Sequence, residues 1–279
     1  MTYERPDNLP RYKSPPVSEV QLGLVLQPVH IPVTMLPALF ELLENDYPKR
    51  MELPQRPPEL LNGSMRRSAF RLELGDIPPA PRIRFRDQAN TRWLDLQSDM
   101  LTCGWRRTPD GEYPSYGDLR SEFERLLRLF EVFWSQVGTE EELYIVDTSV
   151  KYYNDFTVDA QSSMDAMQRA FGVDMEKVSI DGLPAPGTTG LFLRFPFSDG
   201  QDGPYALLTV QGRVSPQEHD FHALLNLSYR GDPFVKRYDE ATEPLDAALS
   251  FLDNGHDHIV RAFTGVTSTE LHSTWGRYQ

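Results

Sequence analysis

The segment from Tyr116 to Val137 constrains this chain more than any other. Leu119, Phe123, Leu126, Leu127, Phe130, Phe133, Trp134 and Val137 recur at three- and four-residue spacing, the period of one helix face. Glu122, Glu124, Arg125, Arg128 and Glu131 fill the opposite side, and Gly138 stands where a helix stops. An aromatic-rich stripe of that length needs a broad apolar surface to cover it, most simply a β-sheet.

The sheet is written around that helix. VSEVQLGLVL (17–26) alternates at period two, with Val20, Leu22, Leu24 and Leu26 on one face. A short helix is predicted from Leu36 to Leu43, with Pro37 in its first turn, and a proline-rich linker at Pro54 to Pro58. Strand-like runs follow at AFRLEL (69–74), PRIRFRD (81–87) and 91–107, the last long enough to be two pieces or one bent strand. The second half repeats the rhythm: a long strand at 142–158, a short helix at 161–171, strands at 190–197, 204–214 and 219–230, and a helix from Pro244 to Phe263. This predicts an α+β fold built from a duplicated strand–helix–strands–helix unit. One antiparallel sheet would carry long amphipathic helices on one face. Such a pattern looks like the TATA-binding-protein-like or helix-grip class of folds. The expected division is a flexible proline-rich tail at 1–16, a first unit at 17–138 and a second at 139–279. In the second, Thr267 to Gly276 adds a short C-terminal helix. Its cap comes from Thr267, Ser268 or Thr269, Leu271 and Trp275 face inward, and His272 lies near the surface.

Composition narrows the function. Of 279 residues, 28 are Lys or Arg and 41 are Asp or Glu, a net charge of −13. Residues 1–138 carry net −1 and residues 139–279 net −12. That balance opposes binding to duplex nucleic acid and to anionic lipid. From Arg66 to Arg107, nine arginines face five acids. There Arg82, Arg84 and Arg86 alternate with Ile83 and Phe85, a candidate anion surface on one strand face. The single cysteine, Cys103, excludes an internal disulfide and a cysteine-rich zinc site, and it reads as a buried thiol. No apolar run is long enough to span a membrane, and the polar start of the chain has no signal-peptide pattern, so a cytoplasmic location is expected.

No phosphate-binding loop, dinucleotide fingerprint, zinc-protease helix or nucleophile elbow is present in the sequence. No cofactor and no metal are expected. Three residues are weak catalytic candidates. His256 lies on the apolar stripe of the last helix, four residues after Leu252 and three before Ile259. It reads as a buried, hydrogen-bonded histidine, or else as a ligand or proton donor facing a cavity between helix and sheet. Asp220 and His222 are two apart on one strand face, where they could share a proton, although a polar outer face explains them as well. Tyr152, Tyr153 and Asn154 could line a pocket or pack on both faces of a strand.

PPVSEVQLGL near the start, YPSYGDLRSEFERLLRLF in the middle and LDNGHDHIVRAFTGVTSTELHSTWGR near the end together resemble a sporadically distributed prokaryotic family of uncharacterised cytoplasmic proteins. The resemblance runs from Pro15 onward and is most specific from His256 to Gly276. It implies no reaction and no catalytic residue. Without a coherent catalytic constellation, the sequence favours a non-catalytic protein-interaction module, with an acidic half that could steer a basic partner, as in a conflict or defence system. The alternative is an enzyme or small-ligand-binding protein with a pocket between sheet and helices. A polar cavity holding two or more titratable groups would favour that alternative.

Overall fold

Strand β1 (Val17–Leu26) is central, and the rest of the sheet grows outward from it on both sides. In this computed structural model the described residues are 3–27, 33–56, 81–109, 111–137, 144–160, 162–173, 188–197, 204–214, 220–232 and 243–279. After β1 come a 3-10 turn and helix α1 (Leu36–Leu43), then β2 (Lys49–Leu53), β3 (Arg82–Arg86), β4 (Arg92–Gln97), β5 (Met100–Arg106) and helix α2 (Tyr116–Val137). The chain continues through β6 (Ile145–Asp159), α3 (Ser163–Phe171), β7 (Thr188–Pro196), β8 (Tyr205–Val214), β9 (Asp220–Gly231), α4 (Pro244–Val266) and α5 (Thr269–Thr274). The sheet has nine strands in the order β2-β3-β4-β5-β1-β6-β9-β8-β7, and every pairing is antiparallel. The fold is therefore α+β. The expected strand at 69–74 lies outside the described residues, as does Gly138.

Register puts one apolar residue opposite another across the middle of the sheet. Cys103, Leu22, Val150 and Tyr229 follow one another from β5 through β1 and β6 to β9. These side chains are buried in one core with Phe123, Phe130 and Phe133 of α2, Met167 of α3 and Leu249, Leu252 and Ile259 of α4. The alternation predicted for strands and the stripes predicted for helices thus meet on one side of the sheet. Burial holds the Cys103 thiol far above its ordinary range, so it stays protonated and serves as a small apolar core group.

Helix α4 comes closest to the sheet at Gly255. A Cβ there would lie 2.6 Å from both the Tyr229 ring and Val150 Cγ1. The missing side chain lets the helix backbone settle onto β6 and β9, and the next residue is His256.

Two expectations are corrected here. Residues 3–16 were expected as a flexible tail, yet they lie against the body of the protein. Leu9 is fully buried, and Tyr12 forms a β-bridge with Arg277. Lys13 and Ser14 donate backbone hydrogen bonds to Gly276 and Trp275, and Tyr278 donates back to Arg11. The prolines remove donors but leave every carbonyl, and the second terminus supplies the pairing. In the C-terminal segment, Leu271 and Trp275 are buried as expected, and Ser268 is the residue whose hydroxyl caps α5. His272, expected near the surface, is buried, because its Nε2 bonds the Thr267 hydroxyl and its ring stands edge-on to Tyr12. Gly276 then turns the chain with φ of +66°, a conformation that favours glycine.

Candidate functional site

The face of β6 that meets the helices carries Val150, Tyr152, Asn154, Phe156 and Val158, all buried. Tyr152 and Asn154 are polar positions within this apolar alternation. Opposite them, α4 presents Asp253, His256 and Asp257 at the i, i+3, i+4 spacing that groups side chains on one helix face. Each of the three holds a different tyrosine. Tyr116 donates to Asp253 at 2.9 Å, Tyr152 shares a 2.9 Å hydrogen bond with His256 Nδ1, and Tyr3 donates to Asp257 at 2.7 Å. Arg120 Nε also reaches Asp253, at 3.3 Å. Tyr113 adds a longer contact, its hydroxyl 3.4 Å from that of Tyr152.

His256 is at the centre of this cluster. Only 2% of its surface is exposed. Its ring lies flat on Tyr116, with centroids 3.9 Å apart, and Tyr3 meets it edge-on at 5.6 Å. Burial, helped by the nearby positive charge of Arg5, pushes its pKa down to about 3, so the imidazole is neutral at physiological pH. A neutral imidazole has one N–H. Nδ1 shares its hydrogen bond with the Tyr152 hydroxyl, and either atom of that pair can be the donor. Nε2 is buried and has no hydrogen-bond partner.

His256 lines a cavity of about 1000 Å³. The sheet contributes Tyr152, Asn154 and Phe156, and α4 contributes His256, Ile259 and Phe263. The remaining walls are the N-terminal segment, the loop before α2 and the C-terminal turn with Trp275. Two arginines of the N-terminal segment also line it. Arg5 is anchored through Nη2 to the Pro10 carbonyl at 2.6 Å, and the Nε atoms of Arg5 and Arg11 are buried without partners. Lys13 and Arg107 stand at the exposed margin, along with Glu112 and Asp155. The lining thus carries four cations against two carboxylates in a chain of net charge −13.

The other sequence candidates lie elsewhere. His222 is exposed, and the alternation of β9 puts it on the sheet face opposite His256, since its neighbours Phe221 and Ala223 are buried in the core. Asp220 begins β9 opposite Asp159. His222 does not line the cavity. Arg82, Arg84 and Arg86 do occupy β3 with the predicted alternation, but two of them, Arg82 and Arg84, are taken up by a carboxylate of the next strand. Asp95 of β4 accepts two hydrogen bonds from Arg84, at 2.6 and 2.7 Å, and lies 3.7 Å from Arg82. Arg82 is buried, and the Arg84 guanidinium also covers the Trp93 ring. Among the described residues, no three metal-ligating side chains come together.

Tyr3, Arg5, Arg11, Tyr113 and Tyr116 were not singled out from sequence. A signal for Tyr3 was present, since a large aromatic departs from the polar, charged composition of a tail. No family model and no curated protein matches the chain. Likewise, no helix among the described residues is long and apolar enough to cross a membrane.

Proposed function

We propose that the protein is a receptor or enzyme for a small anionic molecule, held in the cavity between the sheet, α4 and the N-terminal segment. One observation carries this reading: three buried nitrogens around the same cavity, His256 Nε2, Arg5 Nε and Arg11 Nε, have no partner. Leaving such groups unpaired costs about 1–3 kcal/mol each, more when they are charged, and a bound acceptor removes that cost. The two arginine nitrogens are donors, so the group that would pair with them is an acceptor. The volume and aromatic walls suit a small organic molecule. This favours the ligand-binding alternative over the interaction module. The test is a thermal-shift screen of anionic and neutral metabolites. Anionic members should raise Tm, and Arg5→Gln and Arg11→Gln should abolish the rise. A screen in which no anion stabilises the protein would refute the reading.

A second reading keeps the interaction module, on a different surface. β7 is a sheet edge, and Phe192 is 65% exposed there, with Phe195 and Phe197 also open to solvent. Such an edge can take a strand from another protein, and the acidic half could steer a basic one. Binding lost in a Phe192→Ser, Phe195→Ser variant would support this reading, and binding unchanged by it would remove it.

The order of strands supports reading the fold as a duplicated unit of the helix-grip kind. In each half the first strand is central, a helix follows, and the remaining strands return from the sheet edge to pair beside it.

A further inference from the structure

We infer that the ligand is a phosphate monoester carrying an aromatic ring, an aryl or nucleoside phosphate; this rests on the anion-pocket reading above. The charge of the lining is the first argument. Four cationic side chains against two carboxylates leave an excess of two positive charges, and the buried imidazole at the centre is neutral. A carboxylate would neutralise half of that excess. A phosphate monoester carries a charge of about −1.5 to −2 at neutral pH and matches it.

Donor geometry is the second argument. The guanidinium N–H groups without partners come from Arg5 and Arg11 of the N-terminal segment, and His256 of α4 lines the same cavity. Three terminal phosphate oxygens can accept from several directions at once, whereas a carboxylate offers two oxygens in one plane. The rest of the lining sets the remainder of the molecule. Tyr113, Tyr116, Phe156 and Trp275 give ring surfaces on which a flat aromatic group packs, and Asn154 offers the one side-chain amide among them.

Isothermal titration of the full chain with four probes tests this: phenyl phosphate, methyl phenyl phosphate, benzoate and inorganic phosphate. Phenyl phosphate should bind at least tenfold more tightly than each of the other three. The methyl ester keeps the ring and loses one charge, benzoate replaces phosphorus by carbon, and inorganic phosphate lacks the ring. Arg5→Gln and Arg11→Gln should each weaken phenyl phosphate binding tenfold or more. Should either variant lose its fold, ¹⁵N-histidine spectra of the wild-type protein give a second reading, because the His256 ring-nitrogen resonances should shift on adding phenyl phosphate. Benzoate binding as tightly as phenyl phosphate would overturn the phosphate assignment and leave an anion pocket. Inorganic phosphate binding equally well would overturn the aromatic part. If no probe binds and the wider anion screen is also silent, the pocket reading itself fails.

Discussion

His256 and Tyr116 stack ring on ring, 3.9 Å between centroids and with parallel planes, although they come from different helices 140 positions apart in sequence. The stack ties the start of α2 to the middle of α4. It also holds the imidazole in a site where it stays neutral, with one nitrogen committed to Tyr152 and the other unspent.

That neutrality makes a pH prediction with a definite sign. The folded-state pKa of His256 is about 3, below the ordinary value of 6.5, so between these values the unfolded chain binds the proton and the folded one does not. Stability should therefore fall as pH drops from about 6.5 toward 3, by up to ~1.4 kcal/mol per pH unit for this group. His258 and His272 are shifted the same way by burial, whereas Asp147 and Asp253, pushed upward by burial, act oppositely in the carboxylate range. Urea unfolding of the wild type and of His256→Gln isolates the contribution. The variant should show a flatter decline, and identical pH profiles would contradict this account.

Tyr152→Phe should cost about 1–3 kcal/mol, because it leaves the buried Nδ1 of His256 without its hydroxyl partner. The same change should alter the His256 tautomer, visible in ¹⁵N spectra as a shift of the proton between Nδ1 and Nε2. An unchanged spectrum would show that Tyr152 does not set the proton's position.

Gly255→Val should destabilise by about 1–3 kcal/mol, since the first added atom would meet Tyr229 and Val150 at 2.6 Å. The helix must move away from the sheet to relieve this, carrying His256 with it. Ligand affinity should fall together with Tm. A variant that keeps full stability would mean that α4 does not approach the sheet at this glycine.

Trp275→Ala should cost about 3–5 kcal/mol, the range for truncating a buried aromatic. The indole packs on Phe156 and Phe263 with centroids 5.2 and 5.1 Å away. Deleting residues 267–279 should go further and release the N-terminal segment, because Lys13, Ser14 and Arg11 pair with that stretch. Limited proteolysis should then cut near Arg5 and Arg11. A truncated chain with the Tm of the full one would disprove the packing.

Asp95→Ala should cost several kcal/mol, because Arg82 and Arg84 would keep buried positive charge without their carboxylate. Replacing Arg82, Arg84 and Arg86 together by alanine should leave duplex DNA binding where it was, negligible at about 0.15 M salt for a chain of net charge −13. Fluorescence anisotropy with a random duplex measures this, and tight binding with a steep salt slope would reverse the expectation.

The sequence by itself determined most elements and which face of each is apolar. Strand alternation at 17–26 and the stripe at 116–137 are local patterns, and burial of apolar surface enforces them wherever the chain goes. The length of 91–107 allowed two strands or one bent strand, and the pairing of β4 with β5 decided for two. His256 was legible as a polar residue on an apolar stripe, but its partners were not. Tyr3, Tyr116 and Tyr152 stand 253, 140 and 104 positions away. No periodicity within a segment says which distant hydroxyl will meet which nitrogen. The three arginines of β3 show the converse. Their shared face was readable, but Asp95, which occupies two of them, comes from the next strand by register. The packing of residues 3–16 was decided by distant partners, the C-terminal turn and helix α4, since prolines and charges describe a tail until other parts of the chain supply the missing donors and acceptors. The cavity was decided the same way. It is the space left where two termini, a sheet and a helix meet, and no segment of the chain encodes it alone.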